Sequence, residues 1–523
     1  MDTDRIRYFQ KVSQSPTNPH ALPRQRVFDV AELYEGPVAR EREAGPSTLA
    51  LDEKLRQAYF WIVNHAIISP YYDIEYLDGP AQSFEIGTSR LTLPSDQSYS
   101  SFVLLPLLNF AIRRKCLLIG GPGRGKTASA VLMGVLAGYP VREVRRAIQH
   151  GQPQMTISDL LGNPMPADLI EARSMDQIKI SWRKWLGMRV KIIDEYNRIP
   201  TRTQSALLTV MGDNYAEIFD QIYECPEAAW YLTANADSAG GTYQVIEALR
   251  DRIDIVVKTL HFSSRFLGEL MVRIENEIKP EEVVPAEIIF TETEMDQMYH
   301  EVLRIELPEP IRRRIEHFAS HFEFCDPAGA QLEYKTKDTL RLSAREIVSL
   351  PGEADPLDLG QQTLNGLSVR ALLTLVLFCK ALAYFRGNAA VILEDVRQIL
   401  PFVLHDKLIQ NPEAAFFSSP ENEVYRIDRI SWLRRLFDAS CQEYDRLDLD
   451  NHDPLRDLAN EFERGLQGVT AEQVTLRLQR IETLLDSLLG EGPLTGPVYE
   501  DVLRLKYLHQ RYTNYLKWLQ WRS

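Results

Sequence analysis

Cysteine is scarce in this sequence, and its placement argues against disulfide or zinc-knuckle stabilisation. The chain of 523 residues contains five cysteines, namely Cys116, Cys225, Cys325, Cys379 and Cys441. They are odd in number and far apart, and no two form a CxxC pair, whereas disulfide frameworks and zinc knuckles need close, paired spacings. We therefore expect reduced thiols, as in a cytoplasmic protein.

Long apolar runs are absent as well. The most apolar stretch, ALLTLVLFC, is nine residues long and lies between Arg370 and Lys380, whereas a helix that crosses a bilayer needs about 20 apolar residues. The first residues, MDTDRIRYFQKVSQ, contain no apolar segment of the signal-peptide kind. We expect a cytoplasmic protein that is not inserted in a membrane.

An excess of positive charge is also missing. Lys and Arg together number 59 and Asp and Glu 73, which gives a formal net charge of −14. Nucleic acids and anionic membranes attract basic surfaces, so this balance argues against a general affinity for either. The 45% apolar and 25% charged content is that of a globular protein, and the length allows two or three domains.

Apolar patterns that alternate between strand and helix predict an α/β domain. Between residues 115 and 260, the β-rich runs KCLLIG, MRVKIID, AAWYLTAN and RIDIVV alternate with helical patterns, as in a parallel sheet covered by helices. From about residue 265 the apolar spacing is helical. We expect a mostly helical or irregular N-terminal segment that packs on the core, the α/β domain, a helical domain and an all-helical C-terminal extension, over residues 1–100, 101–262, 263–410 and 411–523.

Local signals add detail at both ends of the chain. The segment GPAQSFEIGTSRLTLPSDQSYS, residues 79–100, has the composition of a polar loop, and LDEKLRQAYFWIVNHAI before it that of a helix. In the C-terminal extension, apolar spacings of three and four predict three helices, the first of which would bury Ile427. The second has a capping box of Thr470 and Gln473 at its start and Gly490 at its end.

A glycine-rich loop follows the first strand of the α/β domain. Residues 120–127, GGPGRGKT, match the GxxxxGK[ST] phosphate-binding pattern and lie between an apolar run and a helix-compatible stretch. The glycines let backbone N–H groups point at phosphate oxygens. Lys126 would bridge the β- and γ-phosphates, and Thr127 would place its hydroxyl on Mg²⁺. The expected nucleotide contacts are Gly120, Gly121, Pro122, Gly123, Arg124, Gly125, Lys126, Thr127 and Ala128.

Polar residues end two further strands of the predicted sheet. VKIIDEYNR places Asp194 and Glu195 after an apolar run, and WYLTAN ends in Asn235. Asp194 fits a Mg²⁺-associated carboxylate, and Glu195 fits a general base that orients and deprotonates the attacking water. Asn235 could hold that water and sense the γ-phosphate, although a strand-ending Asn is on its own more often part of a turn. The sequence therefore predicts a site for ATP and Mg²⁺.

The order of these motifs resembles AAA+ ATPases of the MoxR family. The segments that carry the resemblance are GGPGRGKT, IIDEYNRIPTRTQSALLTVM and TAN…GTYQVIEALRDRID. IQHGQPQMTISDLLG is similar to the stretch that introduces the helix-2 insert in this family. The segment LNGLSVRALLTLVLFCKALAYFRGNAAVILEDVRQILPFVLHDKL resembles the family's helical lid. The resemblance covers roughly residues 100–410 and implies a P-loop AAA+ core followed by that lid.

The resemblance implies further roles. Asn235 would be the first sensor, and Arg252 the arginine finger offered to a neighbouring subunit, with Arg250 as the alternative. Arg370, in LSVRAL, would be the sensor of the lid. Two departures leave the turnover rate open, because NADSAGG lacks the family's Asn-Pro after the sensor strand and Tyr196 replaces the more usual aliphatic residue.

A trans arginine finger implies a ring of identical subunits, with six as the expected number. MoxR relatives typically act as chaperone-like partners of proteins with a von Willebrand factor A domain, so the resemblance implies a protein client, for which the C-terminal extension is the candidate docking region. Two alternatives stay open: a nucleic-acid motor or restriction-type nucleotidase of the same AAA+ branch, which the acidic balance disfavours, and a scaffold that binds nucleotide without hydrolysing it.

One possible metal set remains outside these motifs. His317, His321 and Cys325 are spaced by four, which would place them on one helical face. Apolar neighbours favour an ordinary helix surface over a zinc site, and the family resemblance gives no reason to expect a metal there.

Overall fold

The computed structural model describes residues 49–67, 71–87, 89–165, 178–235, 247–259, 263–276, 279–325, 329, 332, 336–342, 358–490 and 494–522. These residues belong to one compact unit, Ala44–Ser523. Residues 1–48 of the expected N-terminal segment lie outside the described ranges.

In the described ranges, helices and strands both occur as far as Lys258, and the elements that follow are helices. The strands are β1 (Ile74–Glu75), β2 (Ser83–Ile86), β3 (Ser89–Thr92), β4 (Ser98–Tyr99), β5 (Lys115–Ile119), β6 (Gln149–His150), β7 (Gly162–Pro164), β8 (Ile180–Trp182), β9 (Val190–Asp194), β10 (Tyr215–Ile218), β11 (Gln221–Glu224), β12 (Ala229–Ala234) and β13 (Ile255–Lys258). The α-helices are α1 (Leu51–Trp61), α2 (Ser101–Ile112), α3 (Lys126–Leu136), α4 (Val141–Ala147), α5 (Ile157–Leu161), α6 (Thr201–Asp213), α7 (Glu247–Arg252), α8 (Leu267–Glu275), α9 (Glu292–Arg304), α10 (Glu309–Glu323), α11 (Lys337–Leu342), α12 (Val369–Arg386), α13 (Leu393–Leu404), α14 (Arg429–Arg446), α15 (Pro454–Glu463), α16 (Ala471–Gly490) and α17 (Gly496–Arg522).

Five parallel strands form the central sheet, in the order β13-β5-β12-β9-β6. In the register of the three middle strands, Leu232 lies opposite Leu117 on one side and Ile193 on the other. The middle strand, AWYLTA, is buried at every position, as expected for a parallel sheet with both faces covered. Strands β5, β9, β12 and β13 correspond to the four runs that the sequence predicted.

Helices cover both faces of this sheet. On one face, α2 packs on β12, where the Tyr231 hydroxyl donates to the carbonyl of Pro106 at 2.8 Å and the Asn109 amide donates to the carbonyl of Trp230 at 3.1 Å. The other face packs against α5, α6 and α7 through a buried apolar cluster that includes Leu117, Leu160, Ile193, Leu207, Leu232 and Leu249. The α/β core with helices on both faces is therefore confirmed.

The helical part that follows packs against the core and against itself. In the lid, α12 packs on α13 and also on α1 and α2, and α13 contacts β13. Helix α10 packs against both α14 and α17. Helices α15, α16 and α17 enclose a separate core of Leu458, Val474, Ile481, Leu505, Leu508 and Tyr512. The predicted helical lid and all-helical C-terminal region are confirmed. Among the described residues, no helix is long and apolar enough to cross a membrane.

Several local predictions need correction. Residues 79–100 are not only a loop, because β2 and β3 pair as an antiparallel hairpin and β4 pairs with β1. Ile427 is 86% exposed and precedes α14, so the spacing that linked it to the helix was accidental. The short strand β6 and the helix α15 were not predicted. By contrast, the capping box of Thr470 and Gln473 is present, with bonds of 3.1 and 3.3 Å.

A buried charged cluster joins the segment before the sheet to the lid. The carboxylate of Asp395, fully buried on α13, accepts hydrogen bonds from the Tyr76 hydroxyl at 2.7 Å and from the Arg386 guanidinium at 3.1 Å. Arg386, whose side chain is 6% exposed, also lies 3.6 Å from the ring centroid of Tyr76. Burial raises the pKa of Asp395, while these hydrogen bonds oppose the shift. The buried Asp395 carboxylate therefore needs both Tyr76 and Arg386 as hydrogen-bond donors.

We expect Arg386→Ala to lower the free energy of unfolding by about 3–5 kcal/mol, because removing one partner of a buried ion pair leaves the other charge uncompensated. Urea unfolding followed by tryptophan fluorescence measures the change. Arg312→Ala, at an exposed position of α10, is the matched control and should stay within about 0.5 kcal/mol of the parent chain. Equal stability of the two variants would contradict a stabilising role for the cluster.

Candidate functional site

The phosphate loop, residues 120–127, connects the end of β5 to the start of α3. Gly123 and Gly125 have φ angles of 69° and 78°, a left-handed conformation that glycine adopts without steric cost. Gly125 is the N-cap of α3, and residues 122–125 are exposed. The loop thus presents backbone N–H groups and a helix N-terminus to solvent, which is the arrangement that binds phosphate.

The ammonium group of Lys126 lies at the centre of the site. It donates to the carbonyls of Gly120 and Gly121 at 2.7 and 2.8 Å and to Oδ1 of Asn235 at 3.0 Å. Burial lowers the pKa of this ammonium below its ordinary value, although the negative charges of Asp194 and Glu195 oppose the shift. Lys126 therefore links the phosphate loop to the end of β12.

Thr127 and Asp194, the two residues that the sequence suggested for Mg²⁺, are hydrogen-bonded to each other. The Thr127 hydroxyl donates to Oδ1 of Asp194 at 3.0 Å, and the Thr233 hydroxyl donates to the same oxygen at 2.5 Å. Nδ1 of His150 is 3.4 Å from Oδ2 of Asp194. A hydroxyl and a carboxylate are hard oxygen donors of the kind that Mg²⁺ takes alongside phosphate oxygens and water. The residues present therefore fit a magnesium ion.

Glu195 is held in a conformation that is uncommon for a non-glycine residue. Its φ and ψ are 53° and 46°, in the left-handed region where strain of this kind often accompanies function. Its backbone N–H donates to the Thr233 hydroxyl at 3.0 Å. The carboxylate accepts a bond from the Asn235 amide at 3.1 Å and lies 3.2 Å from Nε of Arg198. Both oxygens of Glu195 are thus oriented by neighbouring donors.

The two arginines that the resemblance singled out lie apart from these groups. Among the described residues, Arg252 donates to the carbonyl of Ala248, within α7, and its Nε is buried without a hydrogen-bond partner. Arg370, about half exposed, forms an ion pair with Asp251. Both side chains therefore contact α7 rather than the phosphate loop of their own chain.

A cleft of about 740 Å³ adjoins the phosphate loop at Ala128. Its apolar lining includes Ile67, Leu132 and Leu270, and its charged lining consists of Arg273, Lys279, Glu281 and Glu282. Apolar walls with a few polar groups are typical of small-molecule sites. No sequence motif indicated this cleft, since its walls come from segments far apart in the chain.

Two contacts of the site were missed by sequence reasoning. Thr233 orients both Asp194 and the backbone of Glu195, and His150 faces Asp194. Thr233 had a usable signal, because it is a buried hydroxyl in an otherwise apolar strand. His150 had none, since it belongs to the unpredicted strand β6.

Parts of this chain are similar to known proteins. The model for the "ATPase family associated with various cellular activities (AAA)" matches residues 115–255, and the model for the AAA lid domain matches residues 361–427. The protein called Chaperone MoxR1, from Mycobacterium tuberculosis (strain ATCC 25618 / H37Rv), is 25% identical over 268 residues. That match covers 50% of this chain and 63% of the length of the relative.

A solved structure is also similar. The crystal structure of a candidate ATPase from Cytophaga hutchinsonii ATCC 33406 aligns over 73% of this chain and 94% of its own, with 18% sequence identity and a TM-score of 0.46. The two matched domains and the MoxR1 alignment lead to one conclusion about the family. Residues 115–255 and 361–427 are thus similar to the AAA ATPase domain and the AAA lid domain, and the alignment with Chaperone MoxR1 supports the predicted resemblance to MoxR-like AAA+ ATPases.

Proposed function

We propose that this chain hydrolyses ATP between the subunits of a ring and uses the cycle to remodel a client protein in the cytoplasm. The observation that carries the hydrolytic part is the continuous set of hydrogen bonds from Lys126 through Asn235 to Glu195, beside the pair of Thr127 and Asp194. A lysine ammonium, an amide and a carboxylate therefore lie together at one edge of the sheet. These are the groups that in-line attack of water on a γ-phosphate requires.

In the proposed reaction, Glu195 accepts the proton of the attacking water while Asn235 orients that water toward the γ-phosphate. Lys126 turns from the loop carbonyls to the β- and γ-phosphates and neutralises the developing negative charge. Thr127 and Asp194 would hold Mg²⁺, which when bound supplies further charge neutralisation at the phosphates. The cleft beside Ala128 would hold the base and ribose.

The position of the arginines supports a site shared between subunits. Arg252 and Arg370 both contact α7, where Arg370 pairs with the residue directly before Arg252. We assign Arg252 to the γ-phosphate of a neighbouring subunit, as the arginine finger, and Arg370 to the sensor of the lid. A closed ring of identical subunits, with six as the expected number, follows from such a head-to-tail contact.

The client is proposed from similarity. The relative from M. tuberculosis is named a chaperone, and a protein with a von Willebrand factor A domain is the expected client or partner. The helices α14–α17 begin at Arg429, just after the end of the match to the lid model at residue 427. Trp521, near the end of α17, is 84% exposed. We therefore assign client or adaptor docking to the C-terminal helices.

Glu195→Gln tests the assignment of the base. The amide cannot accept the proton, so phosphate release should fall by at least about 100-fold, while binding of a fluorescent ATP analogue is kept. Glu217→Gln, at an exposed strand position, is the matched control and should hydrolyse ATP like the parent chain. Release at the parent rate from Glu195→Gln would show that another group is the base, and a parent chain that binds but never releases phosphate would favour the non-hydrolysing scaffold.

A mixing experiment tests the shared site. Arg252→Ala and Glu195→Gln chains should each be inactive, but a 1:1 mixture places an intact Glu195 opposite an intact Arg252 at about one quarter of random interfaces in a cyclic assembly. We expect phosphate release to recover toward that fraction of the parent rate, measured by a coupled assay. Each variant mixed with itself is the control, and no recovery on mixing would contradict a trans role for Arg252.

A further inference from the structure

Two histidines and one glutamate converge between helices α10 and α14. Nε2 of His321 lies 3.3 Å from Oε2 of Glu443, and Nε2 of His317 lies 3.8 Å from the same oxygen. All three side chains are nearly buried, with 9% of His317, 1% of His321 and 12% of Glu443 exposed. Their ligand atoms all lie within 4.8 Å of one another, and they form the one such group of three in the described part of the chain.

The histidine nitrogens of this group are not satisfied by hydrogen bonds. Nε2 of His317 and both ring nitrogens of His321 are buried and have no hydrogen-bond partner. Buried side-chain polar atoms in proteins nearly always have a partner, and an exception calls for an explanation such as a bound ion. Oε2 of Glu443 is within hydrogen-bond distance of Nε2 of His321 but makes no well-directed hydrogen bond with it, and its separation of 3.8 Å from Nε2 of His317 allows only a weak electrostatic contact. A metal cation between the two histidine rings and the Glu443 carboxylate would accept electron pairs from all three and so give the histidine nitrogens a partner.

The distances fit a tetrahedral metal. Zinc binds imidazole nitrogen and carboxylate oxygen at about 2.0–2.2 Å, so two ligand atoms on one tetrahedron are separated by about 3.3–3.5 Å. The separations of 3.3 and 3.8 Å between the two Nε2 atoms and Oε2 of Glu443 are close to that edge length, and the ligand atoms of the two histidines lie within 4.8 Å of each other. Imidazole ligands favour zinc and its neighbours over magnesium or calcium.

We propose that His317, His321 and Glu443 bind one Zn²⁺ ion, with a solvent molecule as the fourth ligand. The spacing of the two histidines puts their rings on one face of α10, with centroids 5.0 Å apart. The nearby guanidinium of Arg314 does not oppose a cation, because its charge is compensated by Asp445 and Asp450.

The third ligand is not the one that the sequence suggested. Helix α10 ends at Glu323, so Cys325 lies beyond it and is not a member of the group, and Glu443 is supplied instead by α14. The ion would tie α10 to the helix that packs on the lid helix α13. Such a link would hold the C-terminal helices against the helical region that precedes the lid.

The test uses the full chain without a polyhistidine tag, stripped with chelator and then dialysed against Zn²⁺ with Mg²⁺ in excess, so that the nucleotide site does not contribute. Elemental analysis should give one zinc per chain. His317→Ala, His321→Ala and Glu443→Gln should each weaken zinc binding by more than about 100-fold, since even outer-shell changes cost 10–100-fold. Cobalt in place of zinc should show the absorption spectrum of a tetrahedral site only when all three residues are present.

His452→Ala, at an exposed histidine on the turn after α14, is the matched control and should bind one zinc like the parent. Zinc should also raise the melting temperature of the parent and of this control, but not that of folded Glu443→Gln, with the fold checked by circular dichroism. Substoichiometric zinc on the folded parent chain, or zinc retained by a chain with both His317→Ala and His321→Ala, would overturn the proposal.

Discussion

The candidate catalytic site depends on one constraint, the parallel pairing of β5, β12 and β9. Parallel strands end at a common edge, so residues more than a hundred positions apart, such as Lys126 and Asn235, come within hydrogen-bond distance. The strands are held in register by apolar contacts on both faces, among them the cluster of Leu117, Ile193 and Leu232. The polar groups at the edge add specificity, but the apolar sheet determines where they are.

Within that edge, the backbone of Glu195 is the most constrained element. A left-handed glutamate costs of order 1–3 kcal/mol, and the surrounding contacts must compensate for it. Thr233 accepts the Glu195 N–H, and a β-carbon at Gly151 would overlap the Glu195 carbonyl. The site thus requires a hydroxyl on one side and a glycine on the other. This local requirement explains why two residues with no chemical role of their own are part of its architecture.

Sequence reasoning correctly predicted the parts of the structure that short, contiguous sequence motifs specify. The phosphate loop, the four long strands and the capping box of Thr470 follow from motifs of eight residues or fewer, and the structure has them where they were predicted. It failed where residues that contact each other are far apart in the sequence, or where an element is too short or too mixed in composition to show a pattern. Strand β6 has two residues, the hairpin of β2 and β3 has an exposed, mixed composition, and Glu443 joins His317 only through the packing of α14 on α10.

The contacts of α7 connect the lid to the proposed finger. Asp251 receives the Arg370 guanidinium from the start of α12, and its backbone carbonyl accepts from the Lys407 ammonium at 3.0 Å, just after α13. Asp254, two residues beyond Arg252, accepts from the Thr374 hydroxyl at 2.8 Å and from the backbone N–H of Lys115 at 3.0 Å. The lid, the helix with Arg252 and the strand before the phosphate loop therefore share one network. A shift of the lid would change the position of Arg252 directly, so nucleotide state in one site would be coupled to the finger offered to the next.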